Sequence, residues 1–142
     1  MYSHILLATD GSDCSLKAAT QAVELAAVSK AKLTVLYACC PEFYLDKNEK
    51  ANFVAKGKAT AQAAFNTLQA SAKARKLPAS KLELVFKEGK RASNTIIDVA
   101  KKGKAELIVL GSHGHSGLSR LMRGSVANAV VMQANCAIFV AK

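Results

Sequence analysis

The densest chemical signal in this 142-residue chain is Gly111-x2-Gly114-x9-Gly124-Ser125. It directly follows Leu107-Ile108-Val109-Leu110, an apolar run that reads as a buried strand. Glycine lets the backbone approach an oxyanion closely and adopt positive φ. Gly124, Ser125 and Val126 stand where a helix would begin, so their N–H groups would lie at the positive end of a helix dipole, with the Ser125 hydroxyl as a further donor. The chemistry these residues suit is phosphate binding. The same segment carries Ser112, Ser116, Ser119, Arg120 and Arg123, which suit a polyphosphate tail. His113 and His115 are read as solvated loop residues rather than metal ligands. Nucleophilic catalysis is not expected of these serines.

Two other phosphate-binding patterns are absent. Gly57-Lys58, Gly89-Lys90 and Gly103-Lys104 each lack the Ser or Thr that completes a P-loop. No Gly-x-Gly-x-x-Gly follows the first strand, which argues against a dinucleotide site.

The elements that must position this loop are legible as an alternation. Apolar strands are expected at His4–Thr9, Lys32–Cys39, Leu82–Lys87, Glu106–Gly111 and Ala137–Ala141. The first helix, ending by Lys30, shows Leu16, Ala19, Val23, Ala26 and Ala27 at helical spacing, with Ser12 or Asp13 as its cap. Glu42–Glu49 reads as a loop. A long helix follows over about Asn52–Lys76, with Val54, Ala61, Phe65, Leu68 and Ala72 on one face and Gly57 as a weak point. Ser93 is the expected cap of a third helix, with Ile96, Ile97 and Ala100 inward and Gly103 beyond its end. Val126, Ala129, Val130 and Gln133 belong to a fourth. The order βαβαβαβαβ predicts a single-domain α/β fold: a five-stranded parallel sheet with helices on both faces. Ligands of such sheets bind at the carboxyl ends of the strands. That rule selects Thr9-Asp10-Gly11, Ala38-Cys39 and Gly111–Gly114. Asp10 at that edge can accept from ribose hydroxyls as well as cap the first helix.

Composition sets the limits. No apolar run approaches a membrane span, and Met1–Leu7 lacks the features of a signal peptide. The expectation is a cytoplasmic protein whose Cys14, Cys39, Cys40 and Cys136 stay reduced. The net charge of +10 is concentrated between Lys47 and Arg91, where eleven basic residues face three acidic ones. A basic stripe can be a nucleic-acid footprint. A solvated lysine-rich helix face is the preferred reading, because no aromatics interleave with the lysines.

Taken together, these motifs resemble the universal stress protein family. His4-Ile5-Leu6-Leu7-Ala8-Thr9-Asp10-Gly11-Ser12 is similar to the family's opening strand and Asp turn. Leu107–Gly114 with Gly124-Ser125-Val126 is similar to its Gly-x2-Gly-x9-Gly-[Ser/Thr] signature, which ATP-binding members keep. The resemblance implies a Rossmann-like fold of the adenine nucleotide alpha hydrolase type. It implies that Ala8 and Asp10 line the adenosine, with Asp10 near the ribose. Ala38 would sit by the adenine, Leu110 against the base, and Gly111 beside the ribose and α-phosphate. Gly114, Gly124, Ser125 and Val126 would cradle the phosphates of ATP or another adenine nucleotide, with Mg²⁺ or Mn²⁺ carried on them. It also implies a homodimer paired through Ala137, Ile138, Phe139, Val140 and Ala141. An exposed strand of that composition needs covering in any case. Two departures from the family pattern are Arg91 and Ala137, where many members have proline. The function expected is an adenine-nucleotide-binding stress-response protein, a sensor or regulator with at most slow ATP hydrolysis or autophosphorylation. The alternatives are a nucleic-acid-associated protein using Lys47–Arg91 and a nucleotide-hydrolysing enzyme.

Overall fold

The computed structural model describes residues 1–41, 46–113 and 124–142. The strands are β1 (His4–Ala8), β2 (Lys32–Cys39), β3 (Leu82–Glu88), β4 (Leu107–Gly111) and β5 (Ala137–Ala141). The helices are α1 (Asp13–Ser29), α2 (Lys47–Ala74), α3 (Ala92–Gly103) and α4 (Ser125–Gln133). All strand pairs are parallel, in the order β3-β2-β1-β4-β5. The chain therefore steps outward from β1 to β3, then crosses back to place β4 on the other side of β1. That reversal is the switch point at which the two neighbouring connections diverge and leave a crevice.

Each face of the sheet buries its own core. Ile5, Leu7, Leu33, Val35 and Val109 face α1 and α2, which contribute Ala22, Val23, Ala26, Phe65 and Leu68. Leu6, Leu36, Ile108 and Leu110 face α3 and α4, which contribute Ile96, Ala100, Ala127 and Val130. Successive strand residues alternate between these two cores, which is why the central strands read as unbroken apolar runs.

Several local expectations are corrected. α2 begins at Lys47, five residues before the expected Asn52, because Asp46 and Glu49 form a capping box. Glu49 N–H donates to Asp46 Oδ1 at 2.8 Å and Asp46 N–H donates to Glu49 Oε2 at 3.0 Å, so two otherwise orphaned donors are satisfied reciprocally. Of the expected 42–49 loop, residues 42–45 lie outside the described residues. Ser93 does not cap α3. Arg91 occupies the cap position without a capping side-chain hydrogen bond, and Ser93 is buried as the second residue of the helix. Gly103 is the last residue of α3 rather than a residue beyond it, and Lys104 takes the left-handed conformation (φ 54°). A Cβ on Gly103 would stand 3.0 Å from the His4 ring, so this glycine serves packing. Leu16 is exposed, and the buried face of α1 runs instead through Ser15, Ala18, Ala22, Val23 and Ala26. Ser12 is the α1 cap, its hydroxyl accepting from Ser15 N–H.

Candidate nucleotide-binding site

A cleft of about 710 Å³ opens at the carboxyl edge of the sheet. β1 and its following turn supply Ala8 and Asp10, β2 supplies Ala38, and β4 supplies Leu110 and Gly111. Gly124, Ser125 and Val126 enter from the start of α4. Eight of the nine residues singled out from sequence thus line one concavity. Gly114 lies outside the described residues, as do His115, Ser116, Ser119, Arg120 and Arg123.

The polar turn after β1 is held by a chain of short bonds. Thr9 Oγ1 donates to Ser15 Oγ at 3.0 Å, and Ser15 Oγ donates to the Ser12 carbonyl at 2.8 Å. Gly11, at φ 79°, donates its N–H to Thr9 Oγ1 at 3.2 Å. Asp10 Oδ1 accepts from Ser12 N–H at 2.9 Å, so this carboxylate shapes the entry to α1 while lining the cleft. The cap of α1 is Ser12 rather than Asp10, which instead braces the turn before it.

The two glycines that flank the cleft have different physical reasons. Gly124 adopts φ 74° as the cap of α4, a conformation that costs other residues about 1–2 kcal/mol. Among the described residues no side chain caps α4, and the N–H groups of its first turn, which have no partner within the helix, lie where Ser125 and Val126 line the cleft. Gly111 has a packing reason. A Cβ there would stand 3.0 Å from the Cys14 carbonyl carbon and 3.1 Å from its oxygen. The missing side chain lets β4 lie directly against α1, whatever ligand is present. Next to it, Ser112 Oγ is 2.7 Å from His113 Nδ1, and Cys14 Sγ is 3.8 Å from both groups.

The side wall was not foreseen. Phe53, Lys56, Gly57 and Thr60 line the cleft from α2. Their spacing of i, i+3, i+4, i+7 is one helical stripe, which is the signal that identifies them. Gly57, a weak point by propensity, is buried beside the stacked Tyr37–Phe86 pair, whose ring centroids are 5.5 Å apart. A Cβ on Gly57 would meet both rings at 3.4 Å, so glycine brings α2 close to β2. Burial, and behind it Cys39, Asp10 and Cys40, push the Tyr37 phenol above its ordinary value. The hydroxyl is therefore a neutral donor at the cleft. Burial likewise raises the Cys40 thiol that lines the cleft. All four cysteines are free thiols.

The basic middle third does not form one surface. Lys56 lines the cleft, Lys58 lies 5.8 Å over the Phe86 ring, and Arg75 pairs with Glu24 at 2.9 Å. Lys87, Lys90 and Arg91 line a different concavity, shared with α3. Among the described residues no group of three or more His, Cys, Asp or Glu is arranged to hold a metal ion, and no helix is long and apolar enough to cross a membrane.

Comparison with known proteins agrees with this architecture. The model of the universal stress protein family matches residues 1–142. A universal stress protein of Methanocaldococcus jannaschii is 31% identical over 142 residues, covering 100% of this chain and 83% of its own length. Among solved structures, UspA of Lactobacillus plantarum is similar with a TM-score of 0.79 at 29% identity, covering 99% of this chain and 98% of that one. A universal stress protein crystallised in complex with cAMP is similar with a TM-score of 0.74 at 28% identity, covering 99% and 97%.

Proposed function

Because this chain belongs to the universal stress protein family, we propose that it is a protein of the stress response that binds ATP or another adenine nucleotide and acts as a sensor or regulator. The observation that carries the reading is the convergence of Ala8, Asp10, Ala38, Leu110, Gly111, Gly124, Ser125 and Val126 on one cleft at the switch point of the sheet. The similar structure bound to cAMP supports an adenine nucleotide as the class of ligand.

In this reading the adenine lies between Ala38 and Leu110, and Asp10 accepts from the ribose hydroxyls. The phosphates lie against the N–H groups at the start of α4, together with Gly114. Mg²⁺ or Mn²⁺ arrives on the phosphates, since the donors available there suit phosphate oxygens rather than a cation. Ser112 does contact a base at the cleft, His113 at 2.7 Å, but among the described residues no carboxylate or carbonyl orients that imidazole as a dedicated hydrolase would require. We therefore assign binding, with at most slow turnover, as the function.

Calorimetric titration with ATP, AMP and cyclic AMP, with and without Mg²⁺, tests the reading. Binding of at least one of them well below 1 mM supports it; absence of binding by all three removes it. Asp10→Asn keeps an oxygen for Ser12 N–H and removes the charge. It is expected to weaken ATP by about tenfold, the scale of one charge-assisted hydrogen bond. It should weaken 2′-deoxy-ATP less. Equal losses for the two ligands would take Asp10 away from the ribose.

A further inference from the structure

A second concavity, also about 710 Å³, lies on the α3–α4 face of the sheet. Its floor is formed by β2 and β3 through Lys32, Thr34, Glu83, Val85 and Lys87. Its wall is α3, through Thr95, Asp98, Val99 and Lys102. α3 packs on β2, β1 and α4, and β3 is the outermost strand. This face of β3 therefore carries Glu83 and Lys87 where a covered strand would carry apolar residues.

The floor is a built surface. His4 Nδ1 is 2.7 Å from the Gly103 carbonyl, which only accepts, so that nitrogen carries a proton. His4 Nε2 is 2.8 Å from Thr34 Oγ1. Thr34 Oγ1 donates to Glu83 Oε2 at 3.3 Å, and Glu83 also accepts from Lys32 Nζ at 2.6 Å. Thr34, only 3% exposed, is the centre of this chain.

Four further cations line the groove. Lys87, Lys90 and Arg91 stand at the end where the strands exit, and Lys102 stands at the other end. None of the four makes an ion pair among the described residues. Val85 and Val99 lie between them, and Glu88 and Asp98 complete the charged lining. With Lys32, five cations face three carboxylates, one of which Lys32 already neutralises.

We propose that this groove docks an acidic, extended segment of a partner polypeptide. A polypeptide can set carboxylates at the two cationic ends, apolar side chains on Val85 and Val99, and backbone N–H groups toward Glu88 and Asp98. β3 also offers the unpaired backbone groups of an edge strand. A nucleic-acid strand fits less well. Its unbroken row of phosphates would pass the two carboxylates, and no Phe, Tyr or Trp lines the groove for a base to stack on, the His4 ring being held between Gly103 and Thr34. The first turns of α3 separate this groove from the nucleotide cleft: Ala92 and Ile96 line the cleft, while Asn94 and Thr95 line the groove. A docked segment therefore rests on the helix that walls the nucleotide site.

The test is an NMR titration of ¹⁵N-labelled protein with a peptide of about 15 residues that carries glutamates toward both ends and valines between them, and separately with a poly-dT oligonucleotide of about 15 nucleotides, at roughly 0.15 M salt. With the peptide, shifts are expected at Thr34 and within 82–102. Lys87→Gln with Arg91→Gln should weaken the peptide about tenfold, while Lys50→Gln with Lys73→Gln, an equal charge change on α2, should change it less than about twofold. All four side chains are exposed, so both variants retain the fold. Four results would overturn the proposal: no peptide binding, equal weakening in both variants, shifts confined to α2, or groove shifts produced by the oligonucleotide at lower concentration than by the peptide.

Discussion

Gly111 shows how one residue can satisfy a motif for a reason the motif does not state. In the sequence it is the first glycine of a phosphate-binding pattern; in the structure its absent side chain makes room for Cys14 of α1. Gly111→Ala is therefore expected to destabilise the protein by about 1–3 kcal/mol, the usual range for overpacking. The loss should be the same with and without nucleotide. The new Cβ would press on both the Cys14 carbonyl and the Cys14 Cβ, so adding Cys14→Gly should restore only part of the denaturation midpoint. Full recovery in that double variant would place the clash at the Cys14 side chain alone. Gly124 matches the motif for the stated reason, since its φ of 74° belongs to glycine. Asp10 does not cap α1, since Ser12 takes that position, but it braces the turn by accepting from Ser12 N–H while lining the cleft.

At the scale of elements, the strands were read within a residue at each end, because buried parallel strands are short apolar runs bounded by polar turns. Helix starts were read less well, because they depend on side-chain to backbone bonds that few residues signal. The start of α2 is the clearest case. Asp46 and Glu49 have capping-box spacing, yet the polar run around them reads equally well as loop. Asp46→Ala should lower stability by about 1 kcal/mol. Glu49→Gln, which keeps an acceptor for the Asp46 N–H, should cost less. Denaturant titration of the two variants measures the difference, and equal costs would mean that the box is not formed in solution. At α3 the expectation failed in the other direction. Ser93 has a capping side chain, but tertiary packing buries it inside the first turn and leaves Arg91 at the cap.

At the scale of the molecule, two carboxylates tie together the amino ends of the strands. Lys32 above all holds the Glu83 carboxyl below its ordinary range, and the Ser3 backbone N–H above all does so for Glu106. A group whose pKa is lower folded than unfolded stabilises the protein above the unfolded value, about 4.3 for glutamate. It loses that contribution as pH falls through the folded value. Thermal stability should therefore hold from neutral pH down to about 5 and decline below about 4, and Glu83→Gln with Glu106→Gln should flatten the decline. A decline of unchanged slope would assign it to other carboxylates. Among the described residues no strand pairs with the outer edge of β3 or of β5, and the two differ: β3 carries charge, whereas β5 exposes Phe139 and Val140, each 37% accessible. Pairing of two copies through β5 is the arrangement we propose. Light scattering should give twice the 15.0 kDa chain mass, and Val140→Lys should return it to the monomer value, as a charge on an edge strand opposes pairing. What the sequence determined alone was the alternation of strands and helices, the sheet edge at which the cleft opens, and the residues that follow its strands. All of these depend on local periodicity and on which residues adjoin a strand end. What only the tertiary structure decided was the α2 wall of the cleft, the reason for Gly57 and Gly111, and the dispersal of the basic third over separate surfaces. Those depend on which elements come together across the sheet, and that is set by the strand order rather than by any local pattern.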